Sequence, residues 1–116
     1  MASDLDSMPV EIDCHSVQAK LQNDKNSVFL LDCREPAEHE LAHIPEAHLL
    51  PMSELSLRIE ELQPHREKEI IVLCHLGMRS LDVTHWLREQ GFKNVKSMMG
   101  GIDQWSQQID PSVPRY

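Results

Sequence analysis

Residues 69–80 read "EIIVLCHLGMRS". Aliphatic residues run without a polar break into a thiol, and such continuity marks a strand covered on both faces of its sheet. A helix follows from about Arg79 to Gln90, with Val83, Trp86 and Leu87 on one side and Gly91 as its stop. Cys74 therefore stands at the carboxyl end of a buried strand. In open α/β sheets that edge is where ligands bind.

The same alternation extends in both directions. "VEID" (10–13) predicts a short strand, and Asp13 caps a helix carrying Val17 and Leu21. "SVFLLD" (27–32) is a compact apolar run of strand length, followed by a short helix and loop in "REPAEHELAHIP". "AHLLP" (47–51) predicts a third strand. A helical segment starts at Ser53, places Leu55, Ile59 and Leu62 at helical spacing, and ends before Pro64. "NVKSM" (94–98) gives a fifth strand and "GGIDQWSQQI" a last helix. Strands alternating with helices imply a three-layer α/β sandwich: a central, mainly parallel five-stranded sheet with helices on both faces. Residues 1–8 read as a flexible leader, 9–110 as the domain and 111–116 as a proline-punctuated tail.

The totals narrow the function. The chain has 116 residues, enough for one domain with a single core. A net charge of −8 argues against nucleic acid and anionic membrane as partners. No apolar run approaches the ~20 residues that span a bilayer. The opening "MASDLDSMPV" lacks the basic start and apolar core of a secretory signal, so a cytoplasmic location is expected. Cysteines at 14, 33 and 74 form no CxxC pair and are too few for a disulfide scaffold; they read as free thiols of a reducing compartment. Seven histidines show no ligand set with cysteine, so no metal is expected.

The loop Cys74, His75, Leu76, Gly77, Met78, Arg79 joins a strand to the amino end of a helix. A tight turn there can aim backbone N–H groups inward as an anion-binding nest, with Gly77 adopting positive φ. A helix terminus alone contributes roughly 0.3–1 kcal/mol, less than the ~1.36 kcal/mol of one pKa unit. Converging N–H donors must therefore do most of the work of holding a thiolate. Arg79 suits recognition of an oxyanion donor. His75 either helps attract an anion or faces solvent, and Leu76 and Met78 shape an apolar entrance.

With these pieces in order, "LLDCREPAEHELAHIPEAHLLP", "IIVLCHLGMRS", "WLREQGFKNV" and "GGIDQW", the chain resembles a single-domain rhodanese, a sulfurtransferase family. The resemblance covers nearly the whole length. It implies that Cys74 carries a persulfide wrapped by residues 75–79. It also implies transfer of a sulfane sulfur from thiosulfate or a persulfide donor to cyanide, a thiol or a protein acceptor, by a monomer without a cofactor. Asp32 and Arg34 match the segment that borders the active loop in that family, as substrate contacts or as a brace. Cys33 stands where the family usually has a small apolar residue; it reads as core, with a resolving thiol as the rival role. Glu46 replaces the usual glycine of the "HIPEA" turn.

Two rival functions share these residues. Phosphatases of the cell-cycle dual-specificity type share the rhodanese fold and use a cradle with five residues between cysteine and arginine, whereas "HLGM" supplies four, which makes phosphatase or arsenate-reductase activity the lesser reading. A non-catalytic binding module is the other, and the retained Cys74 weighs against it.

Overall fold

The computed structural model describes residues 9–116; the expected leader, 1–8, lies outside them. Five strands, β1 (Glu11–Ile12), β2 (Val28–Asp32), β3 (His48–Leu49), β4 (Glu69–Leu73) and β5 (Val95–Met98), form one sheet in the order β1-β5-β4-β2-β3. Every pairing is parallel. The helices are α1 (Cys14–Asp24), α2 (Pro36–Leu41), α3 (Met78–Glu89) and α4 (Gly101–Gln108).

Alternation along the central strands explains why they are apolar without a break. Leu30, Ile71 and Leu73 enter a core with Val17 of α1 and Ile102 and Trp105 of α4. Phe29, Leu31, Ile70 and Val72 enter a second core with Val83 and Leu87 of α3. Each face is thus buried by helices, giving the three layers expected. Both central strands end at one edge, and β2 and β4 stay in register to their last residues, Asp32 beside Leu73. The Cys33 N–H then donates to the Leu73 carbonyl at 3.1 Å, which carries the ladder one step further.

Local signals account for the ends of the elements. The Asp13 carboxylate accepts the Ser16 N–H at 2.8 Å and the Ser16 hydroxyl at 2.9 Å, capping α1. The helical segment expected from Ser53 is different in kind: it consists of two 3₁₀ stretches, Met52–Glu54 and Ile59–His65, and the second includes Pro64. Proline has no N–H to give and disfavours α geometry in the residue before it. Bonds of the tighter type, such as Glu61 N–H to Arg58 O at 3.0 Å, take over. Leu55 and Leu62 still reach the core, so the spacing was a sound guide to burial and not to helix type.

The last helix bears directly on the loop after β4. The Ile102 N–H donates to the Cys74 carbonyl at 2.8 Å and the Asp103 N–H to the His75 carbonyl at 3.1 Å. This approach leaves no room for a side chain at Gly101, where φ is +59° and a Cβ would lie 2.4 Å from the His75 carbonyl oxygen. The segment expected as a tail packs on the domain, with Val113 buried in the first core and its carbonyl accepting the Ser106 hydroxyl. Gly101→Ala is expected to cost roughly 2–4 kcal/mol, combining left-handed strain with overpacking; a urea midpoint matching the unsubstituted protein would contradict this account.

Candidate active site

The site is assembled from three chain segments at the carboxyl edge of the sheet. Cys74 follows β4 and its side chain belongs to the same core as Cys33, Val72 and Val83. It is only 1% exposed, yet it faces polar groups. The Gly77 N–H donates to Sγ at 3.1 Å. Gly77 achieves this with φ of +106°, the left-handed region, where it caps the start of α3. The thiol donates to the Ser80 hydroxyl oxygen at 3.3 Å, and Ser80 Oγ lies 2.7 Å from Ser97 Oγ of β5. Where several converging amides were expected, the described contacts comprise one amide and a buried pair of hydroxyls.

Residues 75–79 surround this sulfur in different ways. Leu76 and Met78 project into solvent, 58% and 79% exposed, as an apolar rim. The His75 ring is stacked on Tyr116, with centroids 4.0 Å apart and planes 11° apart, and its Nε2 is buried without a hydrogen-bond partner. Arg79 donates from both terminal nitrogens to Glu38, at 2.7 and 2.8 Å. Its charge is thus already answered by a carboxylate. Arg79 in turn holds the Glu38 carboxyl down to about 2, with the Tyr116 hydroxyl assisting against partial burial.

Asp32 and Arg34 form a fully buried pair, Nε to Oδ1 at 2.9 Å and Nη2 to Oδ2 at 2.7 Å. The remaining guanidinium donors reach the Ala42 carbonyl, the Glu38 carbonyl and the Tyr116 hydroxyl. All five N–H groups have acceptors, as a buried arginine requires. Geometry therefore gives these two residues the role of a brace: they tie the end of β2 to the Glu38 carbonyl within α2 and the Ala42 carbonyl at its end.

Sequence reasoning missed Ser80, Ser97, Glu38 and Tyr116. Ser80 directly follows the loop, which was an available signal. Glu38 lies 41 residues from Arg79 and Tyr116 lies 78 from Glu38, and nothing local announces either meeting. Cys33 is enclosed in the core and burial pushes its thiol up to about 12, with Cys74 and Asp32 adding to it. Cys14, at the start of α1, is pushed up to about 11 by burial and by Asp13. Such thiols are poor nucleophiles near neutral pH.

Comparison with known proteins shows what the chain as a whole is similar to. A family profile described as Rhodanese-like domain matches residues 15–108. A chloroplastic rhodanese-like/PpiC domain-containing protein 12 of Arabidopsis thaliana is 34% identical over 110 residues, covering 91% of this chain and 37% of that protein. The chain thus spans little more than a third of that relative's length. A protein named sulfurtransferase from Allochromatium vinosum is 34% identical over 103 residues, covering 89% of this chain and 94% of its own. Among solved structures, reduced Bacillus anthracis CoADR-RHD superposes with a TM-score of 0.79 at 29% identity, covering 93% of this chain and 18% of that one. No helix among the described residues is long and apolar enough to cross a membrane.

Burial of the two accessory thiols predicts the outcome of alkylation. In folded protein at pH 8, iodoacetamide is expected to leave Cys14 and Cys33 unmodified, and both react once the chain is unfolded in guanidinium. Peptide mapping that found native Cys33 alkylated as fast as a free thiol would contradict the enclosure described here.

Proposed function

This chain belongs to the rhodanese-like family, and from that premise we propose that it is a sulfurtransferase that carries a sulfane sulfur on Cys74. The observation that carries the reading is the Gly77 N–H aimed at Sγ, 3.1 Å away, at the end of a strand whose two faces are buried. An inward amide beside a nucleophilic sulfur stabilises the anion that the chemistry needs.

In the first half-reaction the Cys74 thiolate attacks the outer sulfur of the donor. With thiosulfate, an S–S bond forms at Cys74, the sulfur–sulfur bond of the donor breaks, and sulfite leaves with the electron pair. With a persulfide donor the leaving group is the donor's thiolate. In the second half-reaction a thiophile, cyanide or a thiol or a protein acceptor, takes the terminal sulfur and returns Cys74 as thiolate. Two half-reactions sharing one covalent intermediate give ping-pong kinetics.

The surrounding residues support this division of labour. Gly77 contributes its amide, His75 and Arg79 line the rim, and Leu76 and Met78 present apolar surface to the incoming partner. Asp32 and Arg34 hold the scaffold behind the loop. The Ser80–Ser97 hydroxyl pair is suited to both ionisation states: it accepts from the thiol, and with its hydrogens reversed it donates to the thiolate. We assign the reaction to a monomer in a reducing compartment such as the cytoplasm, where its three free thiols persist.

Intact-protein mass spectrometry tests the proposal. Treatment with thiosulfate or a persulfide is expected to add one sulfur atom at Cys74, and cyanide to remove it. Cys74→Ser is expected to abolish the gain, and Ser80→Ala to slow turnover roughly ten- to a hundredfold, as loss of a hydrogen bond to a charged group would. A folded protein that takes up no sulfur from either donor, or hydrolyses an aryl phosphate instead, would overturn the assignment.

A further inference from the structure

Arg79 is the cation nearest in sequence to the reactive sulfur, five residues on from Cys74. Read from the loop alone, it should draw anionic donors. The fold gives it a different engagement. Both terminal nitrogens are bound by Glu38, at 2.7 and 2.8 Å. Glu38 cannot easily turn away, because its Oε1 also accepts the Glu35 N–H at the start of α2, 3.2 Å away, and its Oε2 accepts the Tyr116 hydroxyl at 2.8 Å. The other arginine of the site, Arg34, is matched by Asp32. Arg115, beside Tyr116, is matched by Asp103. Each of these three guanidinium groups therefore has a carboxylate partner, on a chain whose net charge is −8.

We propose that Glu38 is a specificity-determining residue: by neutralising Arg79 it turns the site away from the dianion thiosulfate and toward donors of lower charge, the organic persulfides. The proposal rests on the sulfur-transfer reading above and names the donor class for that site. The transfer step balances without a further reactant. The Cys74 thiolate attacks the terminal sulfur of R–S–SH, the new S–S bond forms at Sγ, and the donor's S–S bond breaks with its electron pair leaving on R–S⁻. The fixed Glu38 carboxylate cancels the attraction that Arg79 would otherwise offer to each additional negative charge on the donor. It does so throughout the working pH range, since Glu38 remains ionised down to about 2.

The test compares two donors on two proteins. Second-order rate constants for persulfide formation at Cys74 are read by mass spectrometry, with thiosulfate and with 2-hydroxyethyl persulfide, for the unsubstituted protein and Glu38→Gln. Glu38→Gln keeps the shape of the side chain and removes its charge. It is expected to raise the thiosulfate rate constant about tenfold, equivalent to ~1.4 kcal/mol, and to make it fall with added salt. The persulfide rate constant should change by less than about twofold. Equal changes for both donors, no change, or a slower thiosulfate reaction would overturn the proposal while leaving sulfur transfer intact. Should the variant fold poorly, the unsubstituted protein decides alone: its thiosulfate rate should stay flat or rise with ionic strength, and a steep fall overturns the proposal. Absence of persulfide from both donors would instead count against the sulfurtransferase assignment itself.

Discussion

Two hydrogen bonds from the amino end of α4 to the carbonyls of Cys74 and His75 set the shape of everything around the sulfur. They take the first residues of the loop and fasten them to a helix that is itself buried against β2 and β4 through Ile102 and Trp105. With those carbonyls engaged behind the loop, the chain must turn within a few residues, and Gly77 makes that turn with its amide facing Sγ. Gly101 is the condition for the contact, since any side chain there would collide with the carbonyls being held. The shape of this loop is thus a consequence of how the last helix docks, although most of α3 and all of β5 lie between them in the chain.

A second chain of constraint comes from the other side of the site. Arg34 leaves β2 and enters the protein interior, where its five donors find Asp32, two carbonyls of the α2 segment and the Tyr116 hydroxyl. An arginine without that set of acceptors would be strongly destabilising in a buried position. With it, α2 is fixed relative to the sheet, and the Glu38 carboxylate is delivered to Arg79 at the mouth of the loop. The brace and the rim are therefore one structure. Segment 111–116 joins it through Tyr116, which touches His75 with its ring and both Arg34 and Glu38 with its hydroxyl.

This division separates what could be read from sequence and what could not. Features set by neighbours along the chain were legible: the unbroken apolar run of β4, the Asp13 cap, the glycine at the turn, and a thiol at a strand end followed by a helix. Parallel order follows from alternating strands and helices by general rules of connection. Features set by contacts across tens of residues were not. The chain has 19 acidic residues, and no local pattern says that Glu38 is the one facing Arg79 or that Tyr116 returns to His75. The 3₁₀ stretches fell between these cases. Spacing located Leu55 and Leu62 in the core, but periodicity does not register the hydrogen-bonding type, which is 3₁₀ in both stretches, with Pro64 inside the second.

Sulfur transfer asks one site to hold a thiol, a thiolate and a persulfide in turn. The groups that contact Sγ here carry no formal charge: an amide from Gly77 and the Ser80 hydroxyl, with Ser97 behind it. Hydroxyl hydrogens rotate to suit whichever form is present, and the nearest guanidinium is balanced by its own carboxylate. The two buried cysteines of this layer differ in what they touch. Cys33, enclosed in the same core, has no described polar side-chain contact and is held as a neutral thiol. Cys74, one strand over, has an amide and a hydroxyl within reach. The difference in polar contacts between two thiols in one apolar layer comes down to which of them the turn at Gly77 faces.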